Sequence, residues 1–177
     1  ETLAGFQATA FTGGGVGLPG HIDYEKGVSL NSPHVVWGHV PLRADCEKIF
    51  GCPFVIDNDA NMAALSEAML HKEYETVLYI TVSTGIGTGF VRRQTIDPAL
   101  LNSEGGHMVL PYDGKLVRWE NFASGSAIVE EYGKKAEDIS DEATWQRIAH
   151  HLSLGFFNHI ALLQPSLIVV GGSIGTH

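Results

Sequence analysis

Three unbroken apolar runs punctuate the chain: Pro53-Phe54-Val55-Ile56, Val77-Leu78-Tyr79-Ile80-Thr81-Val82 and Leu167-Ile168-Val169-Val170. Short runs rich in β-branched residues predict buried strands. Elsewhere the apolar positions recur every third or fourth residue. Trp145, Ile148, Leu152, Phe156, Ile160 and Leu163 mark one face of a helix from about Asp141 to Gln164, which Pro165 ends. Two further helices are predicted, from Asp59 to about His71 with Asn58 or Asp59 as its cap, and from Ser124 to about Lys135. Strands alternating with helices indicate an α/β protein. The polar stretch Leu70–Glu75 is the expected hinge between two lobes, residues 1–72 and 73–177.

Glycine changes this picture because it is clustered. Residues 13–20, 83–89 and 171–175 hold much of it, and the last two groups follow apolar strands directly. A glycine turn after a strand lets backbone approach a phosphate closely. The run Gly15-Val16-Gly17-Leu18-Pro19-Gly20 fits GxGxxG, but Pro19 stands where a dinucleotide-binding helix would begin. Neither a GxxxxGK[ST] loop nor a GxSxG elbow is present.

Composition narrows the partners. Of 177 residues, 44% are hydrophobic and 18% charged, which is globular composition. Eleven Lys and Arg against 20 Asp and Glu give a net charge of −9 with no basic run, so no nucleic-acid partner is expected through this segment. Apolar stretches break well before the roughly 18 residues a membrane span needs. Cys46 and Cys52 are too few for a disulfide scaffold, and a reduced, cytoplasmic setting follows as the expectation. Beginning at Glu1 rather than Met, the chain is expected to be a piece of a longer one.

Three polar clusters could carry chemistry. Asp57-Asn58-Asp59-Ala60-Asn61 sits at a strand-to-helix junction. It reads either as a set of helix caps or as a general base beside an orienting amide. Glu104-Gly105-Gly106-His107 can form a tight turn aiming an acid and an imidazole at one point, though a metal would need further ligands. Glu120 lies among Trp119, Asn121 and Phe122, ahead of a helix; taken alone it reads as a solvated or capping acid.

Together the motifs are more specific than any one of them. Gly-Leu-Pro-Gly at 17–20, Asn-Ser-Pro at 31–33, Asp-Asn-Asp-Ala-Asn at 57–61 and Ser-Thr-Gly-Ile-Gly-Thr-Gly at 83–89 come in order. Glu-Gly-Gly-His at 104–107, Glu-Asn-Phe-Ala-Ser-Gly at 120–125 and Gln-Pro-Ser-Leu-Ile-Val-Val-Gly-Gly at 164–172 follow. The sequence so resembles the ROK family of sugar kinases and related repressors, within the actin-like, hexokinase-type (ribonuclease H-like) ATPase fold of two lobes. The resemblance implies that Asp59 is the catalytic base. It implies that Asn58, Asp59, Glu104, His107 and Glu120 bind a hexose, glucose first. Ser83, Thr84, Gly85 and Gly87 would form a phosphate-binding turn, and Gly171 and Gly172 the loop facing adenosine, with ATP and Mg²⁺ as cofactors. Relatives commonly form dimers, so a homodimer is a candidate assembly.

Three departures qualify that reading. The family's N-terminal Asp-x-Gly-Gly-Thr phosphate motif is missing from residues 1–12, and the chain ends just after the adenosine loop. The expectation is a fragment that binds sugar weakly and does not turn over ATP. Many members carry a cysteine-rich zinc run after the Gly-His, yet residues 108–119 hold no cysteine, so no structural zinc is expected. Ser83 stands where glycine is commoner, a mild change because its hydroxyl can still donate to a phosphate. The runner-up is a non-catalytic sugar sensor of the repressor type, which retention of Asp59 argues against.

Overall fold

The computed structural model describes residues 10–32 and 37–175. Contacts divide the chain into two compact units, residues 1–59 and 60–177. This contact division falls at Asp59/Ala60, ahead of the polar stretch Leu70–Glu75. Packing of the helix that Asp59 opens explains its place.

The first unit carries β1 (Gly14–Leu18), β2 (His21–Asp23), β3 (Val28–Asn31), β4 (Gly38–Val40), α1 (Leu42–Phe50) and β5 (Phe54–Asn58). Strands β1 and β5 run parallel, from Gly14 opposite Phe54 to Leu18 opposite Asn58. Strands β2, β3 and β4 form an antiparallel meander. Gly14 opens β1 hard against the facing strand, where a Cβ would overlap the Phe54 ring. Leu18, Ile22 and Ile56 form the core, with Val16, Tyr24 and Leu42 against them. Of the Asn-Ser-Pro motif, Asn31 ends β3 and Pro33 lies outside the described residues.

Helix α2 (Asp59–Leu70) leads into the second unit, followed by β6 (Thr76–Val82), β7 (Ile86–Arg92), β8 (Thr95–Ile96), β9 (Val109–Tyr112) and β10 (Lys115–Arg118). Then come α3 (Glu120–Ala123), α4 (Gly125–Tyr132), α5 (Glu142–Leu163), β11 (Leu167–Gly171) and α6 (Gly172–Gly175). The sheet order is β11-β6-β7-β8, with β11 parallel to β6 and the other pairs antiparallel. Strands β9 and β10 make a separate hairpin.

Helix α5 follows its predicted periodicity except at Ile160, which is exposed. The Asp141 side chain accepts from Thr144 N at its start, and Gln164, at φ 46, closes its end in the left-handed region. Its Leu152, Phe156 and Leu163 pack on a core of Leu78, Ile80, Val82, Ile86, Phe90, Trp119 and Phe122. Ala64 and Ala68 of α2 pack against Val77 and Val91 in a second cluster, which joins α2 to this unit. Among the described residues no helix is long and apolar enough to cross a membrane.

Strand β7 is the element the sequence hides. Its Gly87 and Gly89 face α2: a Cβ on Gly87 would stand 3.3 Å from Ala60 Cβ, and one on Gly89 would stand 2.7 Å from Ala64 Cβ and overlap the Ala60 carbonyl. These glycines let a helix lie close against a strand, a packing role that alternating hydrophobicity cannot signal.

Candidate functional site

In the first unit, the parallel strand β5 delivers Asp57 and Asn58 to its C-terminal end, the edge where α/β sheets receive ligands. Asp57 Oδ1 accepts from the Tyr24 hydroxyl at 3.0 Å and from Asn58 N at 2.7 Å, so this acid is fixed in place. Asn58 Nδ2 donates to the Gly20 carbonyl at 3.4 Å. Asp59 is the first residue of α2, where a carboxylate complements the helix dipole. Asn61, only 1% exposed, donates through Nδ2 to the Leu101 carbonyl at 3.0 Å. Asn61 thus braces the loop that leads toward Glu104.

In the second unit, Glu104 directly precedes a 3₁₀ turn over Gly105–His107. The turn lies hard on β7: Gly105 N donates to Thr88 Oγ1 at 3.0 Å, and a Cβ on Gly106 would overlap the Ile86 carbonyl. On the other side stands the buried His159, whose Nδ1 donates to the Gly155 carbonyl at 2.8 Å. A Cβ on Gly105 would come within 2.5 Å of His159 Nε2. No side chain fits at either glycine, which is the physical reason for the Gly-Gly pair.

This turn brings His107 to Glu120. Its Nε2 lies 3.1 Å from Glu120 Oε1, with the two side chains 42% and 23% exposed. The pair is therefore open enough to meet a ligand. Glu120 opens α3, and the preceding Trp119 anchors that helix: it is fully buried and its Nε1 donates to the His151 carbonyl at 3.1 Å. The second oxygen of Glu120, Oε2, lies 3.2 Å from the position a Cβ on Gly85 would occupy. His107, Glu120 and Gly85 are thus one cluster. Among the described residues no three His, Cys, Asp or Glu side chains gather as metal ligands.

Gly85 belongs to the turn between β6 and β7, closed by a hydrogen bond from Ser83 N to Gly85 O at 2.9 Å. The carbonyls of Ser83 and Thr84 accept from Gly125 N at 2.7 Å and Ser126 N at 3.2 Å, the first amides of α4. Beside this junction opens a cavity of about 500 Å³. Hydroxyls of Ser83, Thr84, Ser126 and Ser173 border it, with Val129, Ala136 and Ile174 as apolar wall and Lys135 and Glu137 at its side. Lys135 Nζ is 3.5 Å from Glu137 Oε1. Gly171 and Gly172 do not line the cavity themselves. Gly172, at φ 86, makes the bend from β11 into α6 that brings Ser173 and Ile174 to it. Gly87 faces α2 instead.

Sequence reasoning reached Ser83 and Thr84 but missed Val129, Lys135, Glu137 and Ile174. Their one trace is the helix end at Gly133, φ 65, after which Lys135 leads into a 3₁₀ turn over Ala136–Asp138 that holds Glu137. Nothing in that stretch distinguishes a cavity wall from a solvated loop.

The sequence model of the ROK family matches residues 4–177. The chain belongs to the ROK family. Its α/β fold is accordingly the actin-like, hexokinase-type fold of that family. The ROK hexokinase of Thermus thermophilus superposes with a TM-score of 0.73 at 27% identity, over 98% of this chain and 65% of that one. A ROK glucokinase from Streptomyces griseus, solved with glucose and AMPPNP, gives a TM-score of 0.74 at 25% identity, over 97% of this chain and 68% of that one. Among curated relatives, the glucokinase of Streptomyces coelicolor (strain ATCC BAA-471 / A3(2) / M145) is 32% identical over 141 residues, covering 72% of this chain and 43% of the relative. The xylose repressor of Caldicellulosiruptor bescii is 28% identical over 199 residues, covering 89% of this chain and 49% of the relative. The chain thus spans under half the length of these two curated relatives. ROK members of both kinds, kinase and repressor, resemble it.

Proposed function

We propose that the protein carrying this chain is an ATP-dependent hexose kinase, with glucose the first sugar to test. The observation that carries the reading is a shared turn. Gly85 adjoins Glu120, which pairs with His107, while Ser83 and Thr84 of the same turn border the cavity. A carboxylate and an imidazole side by side offer an acceptor and a donor to neighbouring hydroxyls. A sugar lacking or inverting one of them would leave a polar group unpaired. The cavity suits the other substrate: hydroxyls and a lysine for phosphates, and an apolar wall of Val129, Ala136 and Ile174 for a base.

In this reading Asp59 accepts the proton of the attacking sugar hydroxyl, a role worth roughly 10²–10⁴-fold in rate. Asn58 and Glu104 bind further hydroxyls. The turn of Ser83, Thr84 and Gly85 forms the phosphate side, with Gly87 behind it against α2, and Gly171 and Gly172 shape the adenosine side by carrying Ser173 and Ile174 to the cavity. When bound, Mg²⁺ would accompany the phosphates and offset their charge. The glucokinase solved with glucose and AMPPNP supports this pairing of substrates. A homodimer and a cytoplasmic location belong to the same reading.

The xylose repressor relative favours a second reading, a sugar sensor without turnover. ADP release from ATP and Mg²⁺, measured with a panel of hexoses on the whole protein, separates the two. Sugar-dependent release supports the kinase. Saturable sugar binding without release moves the protein to the sensor class.

A further inference from the structure

The glycine at position 85 has a neighbour that a phosphate turn does not call for. Its backbone does not need glycine, because its φ lies outside the left-handed region. What an alanine would meet is Glu120 Oε2, at 3.2 Å from the new Cβ. That distance is tighter than ordinary van der Waals contact, so one of the two groups must move by a few tenths of an ångström. The turn is held by hydrogen bonds from Gly125 N and Ser126 N and cannot easily yield. Glu120 is the mobile partner. Its backbone is fixed beside the buried Trp119, while its carboxylate ends a rotatable side chain and has His107 3.1 Å from its other oxygen.

We infer that Gly85 is a positioning residue for the Glu120 carboxylate, keeping it in register with His107, in addition to any part the turn plays toward phosphate. The inference rests on the reading of Glu120 and His107 as sugar ligands. It assigns the glycine to acceptor binding, where its place in the turn would assign it to the nucleotide.

The test is Gly85→Ala in the whole protein, with both Michaelis constants measured. Displacing a charged hydrogen-bond partner predicts a sugar KM raised about tenfold, well above any rise in the ATP KM that the turn's part toward phosphate brings. In Gly85→Ala/Glu120→Asp the shorter acid withdraws from the new methyl. The double variant is then expected to bind sugar no worse than Glu120→Asp alone, a non-additivity that marks direct coupling. A raised ATP KM with sugar KM unchanged, or additive effects in the double variant, overturns the inference. The ring resonances of His107, followed by NMR, give a readout independent of activity. They are expected to move in Gly85→Ala as they move in Glu120→Gln, and unmoved resonances also overturn it. If the unmodified protein neither binds sugar nor releases ADP, the kinase and sensor readings fail, while the His107 resonances still decide whether Gly85 positions Glu120.

Discussion

Gly155 of α5 lies against the indole of Trp119, so that a Cβ on Gly155 would overlap the ring atoms. Two effects oppose each other if alanine is placed there. Helix propensity favours alanine over glycine by about 1 kcal/mol. Overpacking a filled core costs about 1–3 kcal/mol, and Trp119 has no free side to move toward because it is fully buried, with Phe156 5.8 Å from it. Overpacking wins. Gly155→Ala is expected to lower the urea midpoint and, by shifting Trp119, to disturb the adjacent Glu120. A stability equal to or above the unmodified protein would show that Trp119 can yield.

Asp59→Asn keeps the size of the side chain and removes its basicity. Under the kinase reading, turnover falls by roughly 10²–10⁴-fold while sugar affinity stays nearly unchanged. Calorimetric titration with glucose beside a coupled ADP assay checks both halves. Unchanged turnover removes Asp59 from the role of base.

How much of this was legible in the sequence varies by element. The bounds of β6, β11 and α5 were read nearly residue for residue; in β6 the apolar run records burial directly, whereas Leu167–Val170 of β11 are only half-buried. Strands β1 and β7 were not so read, because Gly14, Gly87 and Gly89 face an aromatic ring or a helix backbone that leaves no room for the apolar side chain that would have signalled burial. The packing of α2 was hidden for a related reason: it is joined to its unit by Ala64 and Ala68, small residues that look unremarkable in a sequence. Of the candidate site, the His107–Glu120 pairing is a tertiary contact between separate motifs, and no spacing rule anticipates the distance.

The cavity makes a prediction that separates donor from acceptor. Val129 lines it from α4 yet is 45% exposed, so enlarging this side chain fills the cavity without overpacking the core. Val129→Trp is expected to raise the ATP KM by about tenfold or more and to leave sugar affinity intact, since removal of a pocket for the base abolishes its burial. An unchanged ATP KM would place the nucleotide elsewhere.

Acid should destabilise the second unit in two separable steps. Burial holds the His151 imidazole below its ordinary value of 6.5, with the nearby Glu131 opposing that shift and His150 adding to it. The unfolded chain therefore binds a proton that the folded chain resists, and stability is complete above the ordinary value and declines as pH falls through 6.5 toward the folded value. Asp141 behaves differently. The Thr144 side chain, followed by the Thr144 amide, holds its carboxyl below the ordinary 3.8, so its contribution persists until pH falls below that range. Urea midpoints measured from pH 7.5 down to about 5 leave the Asp141 cap ionised, and comparison with a His151 variant picks that histidine out from the other eight. His151→Phe retains the ring against Tyr112 and Phe122, which lie 5.1 Å and 5.8 Å from it, and removes the titration. The midpoint of that variant should fall less steeply over this interval than that of the unmodified protein. Parallel curves would mean that His151 binds its proton equally well in the folded and unfolded chain.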